Sequence, residues 1–110
     1  MASDVIKSRQ DFQRVLNDAI RQVGDRIRAT PGFQPYDEIE FQLDMMWRWT
    51  QMDRTPTDDE RAQITIGMIA VREIEPMKET ADDQDFCTNL HELQYYFDRW
   101  PADPNVEATD

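Results

Sequence analysis

Residues 57–74 constrain the fold more than any other stretch. On a helix drawn through them, Ala62, Ile66, Ile69 and Glu73 fall on one stripe and Ile64, Met68 and Val71 on another. A helix that is apolar on two sides has to be surrounded by other helices. The opening of the run carries a start signal. Thr57 caps free N–H groups, Glu60 three residues later completes a capping box, and Asp58 and Asp59 suit the positive end of the helix dipole. Pro76 marks the stop. Gly67 in the middle costs about 1 kcal/mol relative to Ala and makes sense where another backbone passes close by. The β-branched residues of 64–69 also suit a strand, but the caps and the length favour a helix.

The other stretches repeat the helical pattern. Residues 1–30 read as a first helix with Phe12, Val15, Leu16, Ala19, Ile20, Val23 and Ile27 on its core side. Its opposite side is a charge ladder of period seven, Asp4, Asp11, Asp18 and Asp25 alternating with Lys7, Arg14, Arg21 and Arg28. Such pairs are neighbours on a helix surface and read as a solvated face. Pro31 and Gly32 then make a turn, with Phe33 plugging the end of the core, and the second helix returns antiparallel over residues 36–52. It shows a stripe of Tyr36, Ile39, Leu43, Met46, Trp47 and Thr50, and a second of Phe41, Met45, Trp49 and Met52. After loops at 51–56 and 76–81, a fourth helix begins at Asp82-Asp83-Gln84-Asp85 and runs through Phe86, Leu90, Leu93, Phe97 and Trp100, flanked by Tyr95 and Tyr96. The expected fold is all-α, a compact antiparallel four-helix bundle over residues 1–100, with 101–110 as a disordered polar tail.

Charge narrows the partners. With 12 basic and 23 acidic residues the net charge is −11. Residues 1–28 hold six basic and four acidic side chains, so the remaining 82 carry −13. Nucleic acid and anionic membrane are disfavoured, and a basic protein partner is favoured. No apolar run approaches the ~18 residues of a membrane span, and no secretory signal opens the chain. The lone Cys87 permits no internal disulfide, in keeping with a cytoplasmic setting.

Catalytic constellations are missing. A di-iron bundle needs two Glu-x-x-His pairs, whereas this chain has the single His91 with Thr88 in the glutamate position. Cys87 and His91 share a helical face, but a buried thiol explains that spacing better than a nucleophile does. No glycine-rich phosphate loop is present. Neither an enzyme, a metal nor a cofactor is expected.

Two stretches, 25–33 (Asp-Arg-Ile-Arg-Ala-Thr-Pro-Gly-Phe) with Gln42-Leu43 following, and 64–73 (Ile-Thr-Ile-Gly-Met-Ile-Ala-Val-Arg-Glu) with Tyr95-Tyr96 following, resemble a family of small helical immunity proteins. That family belongs to bacterial type VI secretion systems and neutralises NAD-degrading toxins, and relatives accompany ADP-ribosyltransferase and pyrophosphokinase toxins. The resemblance spans about residues 10–97 and implies a cytoplasmic antidote that blocks a toxin's active site without catalysis. The matching positions are fold determinants, so the contact residues have to be read from the chain itself. Phe41, Met45 and Trp49 suit apolar anchors, Glu40 and Asp44 suit partners for toxin Arg or Lys, and Tyr95 or Tyr96 extend the surface. A structural or adaptor bundle that homodimerises through the same helix is the alternative.

Overall fold

Ser8 opens α1 (Arg9–Ala29) by accepting from the Asp11 N–H at 3.1 Å. In this computed structural model, which describes residues 6–99, the core face of α1 buries Phe12, Val15, Leu16, Ala19 and Val23. The ladder lies on the solvent side, where Asp11–Arg14, Asp18–Arg21 and Asp25–Arg28 pair at three-residue spacing. Exposed pairs of this kind contribute a few tenths of a kcal/mol each at most. Gly32, with φ of +87°, makes the turn into α2 (Gln34–Trp49), and Pro35 in its first turn has no N–H to leave unsatisfied. Phe33 packs against the core edge and meets the Tyr36 ring edge-on at 4.8 Å.

The expected third helix is broken. α3 (Asp58–Ala62) carries the anticipated capping box, with Thr57 Oγ1 accepting from the Glu60 N–H at 3.1 Å and Glu60 Oε1 accepting from the Thr57 N–H at 2.9 Å. The chain then leaves the helix and restarts as α4 (Ile66–Ile69), which continues into a π-helical turn (Ala70–Ile74) and a short 3-10 turn (Glu75–Met77). Geometry explains the break. Residues 64 and 66 stand about 200° apart on a continuous helix and cannot face one core, yet both isoleucines are buried. The inward positions are Ile64, Ile66, Gly67, Ala70 and Ile74 rather than either expected stripe; Ala62, Met68 and Val71 face outward. From 66 to 74 a pure α-helix would drift about 80°. The wider π turn slows that rotation and keeps Ala70 and Ile74 on the core.

Two glutamines satisfy the backbone that the break exposes. Gln42 Oε1 accepts from the Thr65 N–H at 2.6 Å while its Nε2 donates to Thr65 Oγ1 at 3.0 Å. Gln94 Nε2 donates to the Ile64 carbonyl at 2.9 Å, and its Oε1 accepts from the Gly67 N–H at 3.2 Å. Gly67 is the close approach: a Cβ there would lie 3.3 Å from Gln94 Cγ.

α5 (Ala81–Asp98) opens on a second capping box, Thr80 with Asp83, and buries Phe86, Leu90, Leu93 and Phe97 in the anticipated seam. It packs on α1 and α4, and α1 also packs on α2. Arg26 staples α1 to the start of α5 through Asp82 at 2.9 Å and Asp83 at 2.7 Å, with its guanidinium 4.5 Å above the Phe86 ring. The described residues are all-helical with one shared core. The first helix starts later than expected, because the Ser8 cap leaves Ile6 and Lys7 ahead of it; residues 1–5, Asp4 included, Trp100 and the 101–110 tail lie outside the described residues.

Candidate functional site

α2 turns Tyr36, Ile39, Gln42, Leu43, Met46 and Thr50 inward, so its opposite face is left to Asp37, Glu40, Phe41, Asp44, Trp47 and Arg48. Phe41 is 61% exposed, with Glu40 and Asp44 exposed beside it. The Asp44 carboxylate accepts from Arg48 Nε at 3.1 Å across one helical turn. The tryptophans exchange places relative to the sequence reading. Trp47, expected on the core stripe, is 41% exposed, whereas Trp49 packs against the core. Met46 and Thr50 already occupy the inward direction, and Trp47 sits about 100° away from Met46. Met45 is half-buried, and Met52 lies beyond the helix end with φ of +55° and its side chain in solvent.

The two tyrosines separate. Tyr96 is buried, its ring stacked on Phe12 at 5.5 Å. Tyr95 is half-buried beneath the Arg99 guanidinium, 3.6 Å from its ring centre. Of the expected contact residues, α2 therefore brings Glu40, Phe41 and Asp44 onto one exposed face with Met45 at its edge, and Tyr96 belongs to the core.

Sequence reasoning missed a second surface. α4, its π turn and α5 enclose a groove of about 640 Å³ lined by Ile64, Thr65, Gly67, Met68, Val71, Arg72, His91 and Gln94. Met68 and Val71 stand 57% and 52% exposed on its wall. π turns recur at functional sites because they divert side chains from regular register. The signal available in the sequence was the apolar pair Met68 and Val71, which an unbroken helix assigns to the interior.

The titratable groups near this groove are held in place. His91 Nε2 lies 2.7 Å from Glu75 Oε2, and that bond lowers the Glu75 carboxyl below its ordinary value. Burial raises the Asp98 carboxyl, opposed by its bond from Gln94. The Cys87 thiol is pushed up by burial and then by the Glu75 charge, which disfavours the thiolate a nucleophile requires. Among the described residues no three His, Cys, Asp or Glu side chains converge on a point where a metal would sit, and no helix is long and apolar enough to cross a membrane.

Neither the curated proteins nor the solved structures contain a significant match to this chain. A sequence-family profile, Tsi6, matches residues 12–99, which takes in all of the packed helices but the first turn of α1. The chain belongs to the Tsi6 family of type VI secretion immunity proteins.

Proposed function

We propose that this chain binds a cognate secreted toxin domain in the cytoplasm and inhibits it by covering its active site, the toxin being a glycohydrolase that degrades NAD(P). The observation that carries the reading is the family match over residues 12–99. The role is binding rather than catalysis. Phe41 supplies an aromatic anchor, Glu40 and Asp44 flank it with acids, and Met45 and the edge of Trp49 extend the apolar area, with Tyr95 as an outlying contact. Aromatic side chains in desolvated surroundings dominate interface energies, and the net charge of −11 speeds encounter with a basic toxin surface. In this reading α3 and α4 together form one member of an antiparallel four-helix bundle.

Co-expression with the product of the adjacent gene tests role and chemistry together. Rescue from growth arrest with restored NAD supports the proposal. Rescue with NAD unaffected by the toxin keeps the immunity role and moves the target to an ADP-ribosyltransferase or a nucleotide pyrophosphokinase. Loss of Phe41 to Ala should weaken binding by about 2 kcal/mol, roughly thirtyfold in Kd. Unchanged affinity for both Phe41→Ala and Asp44→Lys would remove α2 from the interface.

A further inference from the structure

The groove between the π turn and α5 has an unusual division of polar and apolar groups. Its amide and hydroxyl atoms are already engaged within the chain: Gln94 holds the Ile64 carbonyl and the Gly67 N–H, and Thr65 is held by Gln42. A small polar ligand would find few convergent donors or acceptors left to orient it. The recognition surface that remains is the apolar wall of Met68 and Val71 and one cation, Arg72.

Arg72 is the arginine on the groove wall. Among the described residues no carboxylate lies within ion-pairing distance of it, and its guanidinium Nη1 rests 3.6 Å from Met68 Sδ, over the same apolar wall. The acids that touch groove residues bond other side chains, Glu75 to His91 and Asp98 to Gln94. The groove is thus an apolar cleft with one guanidinium on its wall that no carboxylate of the described residues pairs, set in a protein of net charge −11. Its complement is apolar and negative, unlike the basic surface that suits the α2 face.

We propose that this groove seats an apolar side chain that the toxin domain carries next to a carboxylate, the carboxylate pairing with Arg72. The proposal rests on the immunity reading and adds a contact to it. The arrangement has a use in discrimination. A toxin surface that is merely basic meets the acidic faces of this protein without satisfying the groove, so the apolar–acidic element selects the cognate partner from generic cations.

Titration calorimetry of the purified chain with the toxin domain encoded beside it provides the test. Met68→Glu should weaken binding at least a hundredfold and Arg72→Glu about tenfold, with Arg72→Lys within about threefold of wild type. Met68 and Arg72 are exposed, so the circular dichroism and melting temperature of these variants should match wild type. Wild-type affinity in Met68→Glu and Arg72→Glu, with Phe41→Ala weakened, overturns the groove contact and leaves the immunity reading standing. A wild-type dimer that Met68→Glu dissolves without changing toxin affinity gives the groove to a second copy and likewise overturns the proposal. Failure of the wild-type chain to bind the toxin overturns the immunity reading and this contact with it.

Discussion

Replacing Asp83 with Asn tests whether the staple between α1 and α5 is held by charge. Asp83 Oδ2 accepts from the backbone N–H groups of Glu79 at 2.8 Å and Thr80 at 3.2 Å, while Oδ1 meets Arg26 Nη1 at 2.7 Å. The Glu79 bond first, and then Arg26, bring its carboxyl from 3.8 down to about 2. At about 1.36 kcal/mol per pH unit, that difference bounds the charge-dependent stabilisation near 2.4 kcal/mol. The side chain is 20% exposed, and Asp82 still reaches Arg26 after the substitution, which brings the expected loss to about 1.5 kcal/mol at pH 7. Because the folded carboxyl is depressed, the stabilisation is complete well above the unfolded value and disappears as pH falls toward 2. Urea unfolding at pH 7 should therefore show Asp83→Asn less stable by about 1.5 kcal/mol, with Tm lower by roughly 6–12 °C. The gap between variant and wild type should shrink to about half at pH 3. A gap that stays constant with pH, or one under about 0.5 kcal/mol at pH 7, would refute the charge argument and leave only the shape of the cap.

Three further outcomes are expected. Phe97→Ala, at a fully buried position in the α5 seam, should cost about 3–5 kcal/mol in urea unfolding, and a loss under about 2 would mean that the core collapses around the gap. Gln42→Leu keeps the volume but strands the Thr65 N–H, so stability should fall by about 1–3 kcal/mol and hydrogen exchange at Thr65 should accelerate; protection at the wild-type level would contradict this. Met52→Gly relieves a left-handed backbone position at φ of +55° and should raise stability by about 0.5–1 kcal/mol, a drop in Tm being the contrary result.

Local chemistry was legible in the sequence where it acts alone. Thr57 with Glu60, the Pro31–Gly32 turn, and the core faces of α1 and α5 each depend on residues within one or two turns, and each is in place. The break at residues 63–65 depends on Gln42 and Gln94, which lie more than twenty residues away on other helices. No periodicity within 57–74 contains that information, and a segment apolar on two sides offers two equally good registers. The candidate site divides in the same way. Phe41, Glu40 and Asp44 are outward because Ile39, Leu43 and Met46 are inward, which the spacing of α2 dictates. Trp47 and Trp49 lie at the edges of the stripe, where neighbouring helices decide, just as Phe12 decides that Tyr96 and not Tyr95 goes inside.

The π turn at Ala70–Ile74 makes this chain tolerant of a kind of genetic change that most helices reject. Removing one codon from an ordinary helix swings everything downstream by about 100° and scrambles the interior. Here the stretch already carries a surplus residue, so a one-codon deletion would tighten it to regular pitch and leave Ile66 and Ile74 near their seats while re-aiming what lies between.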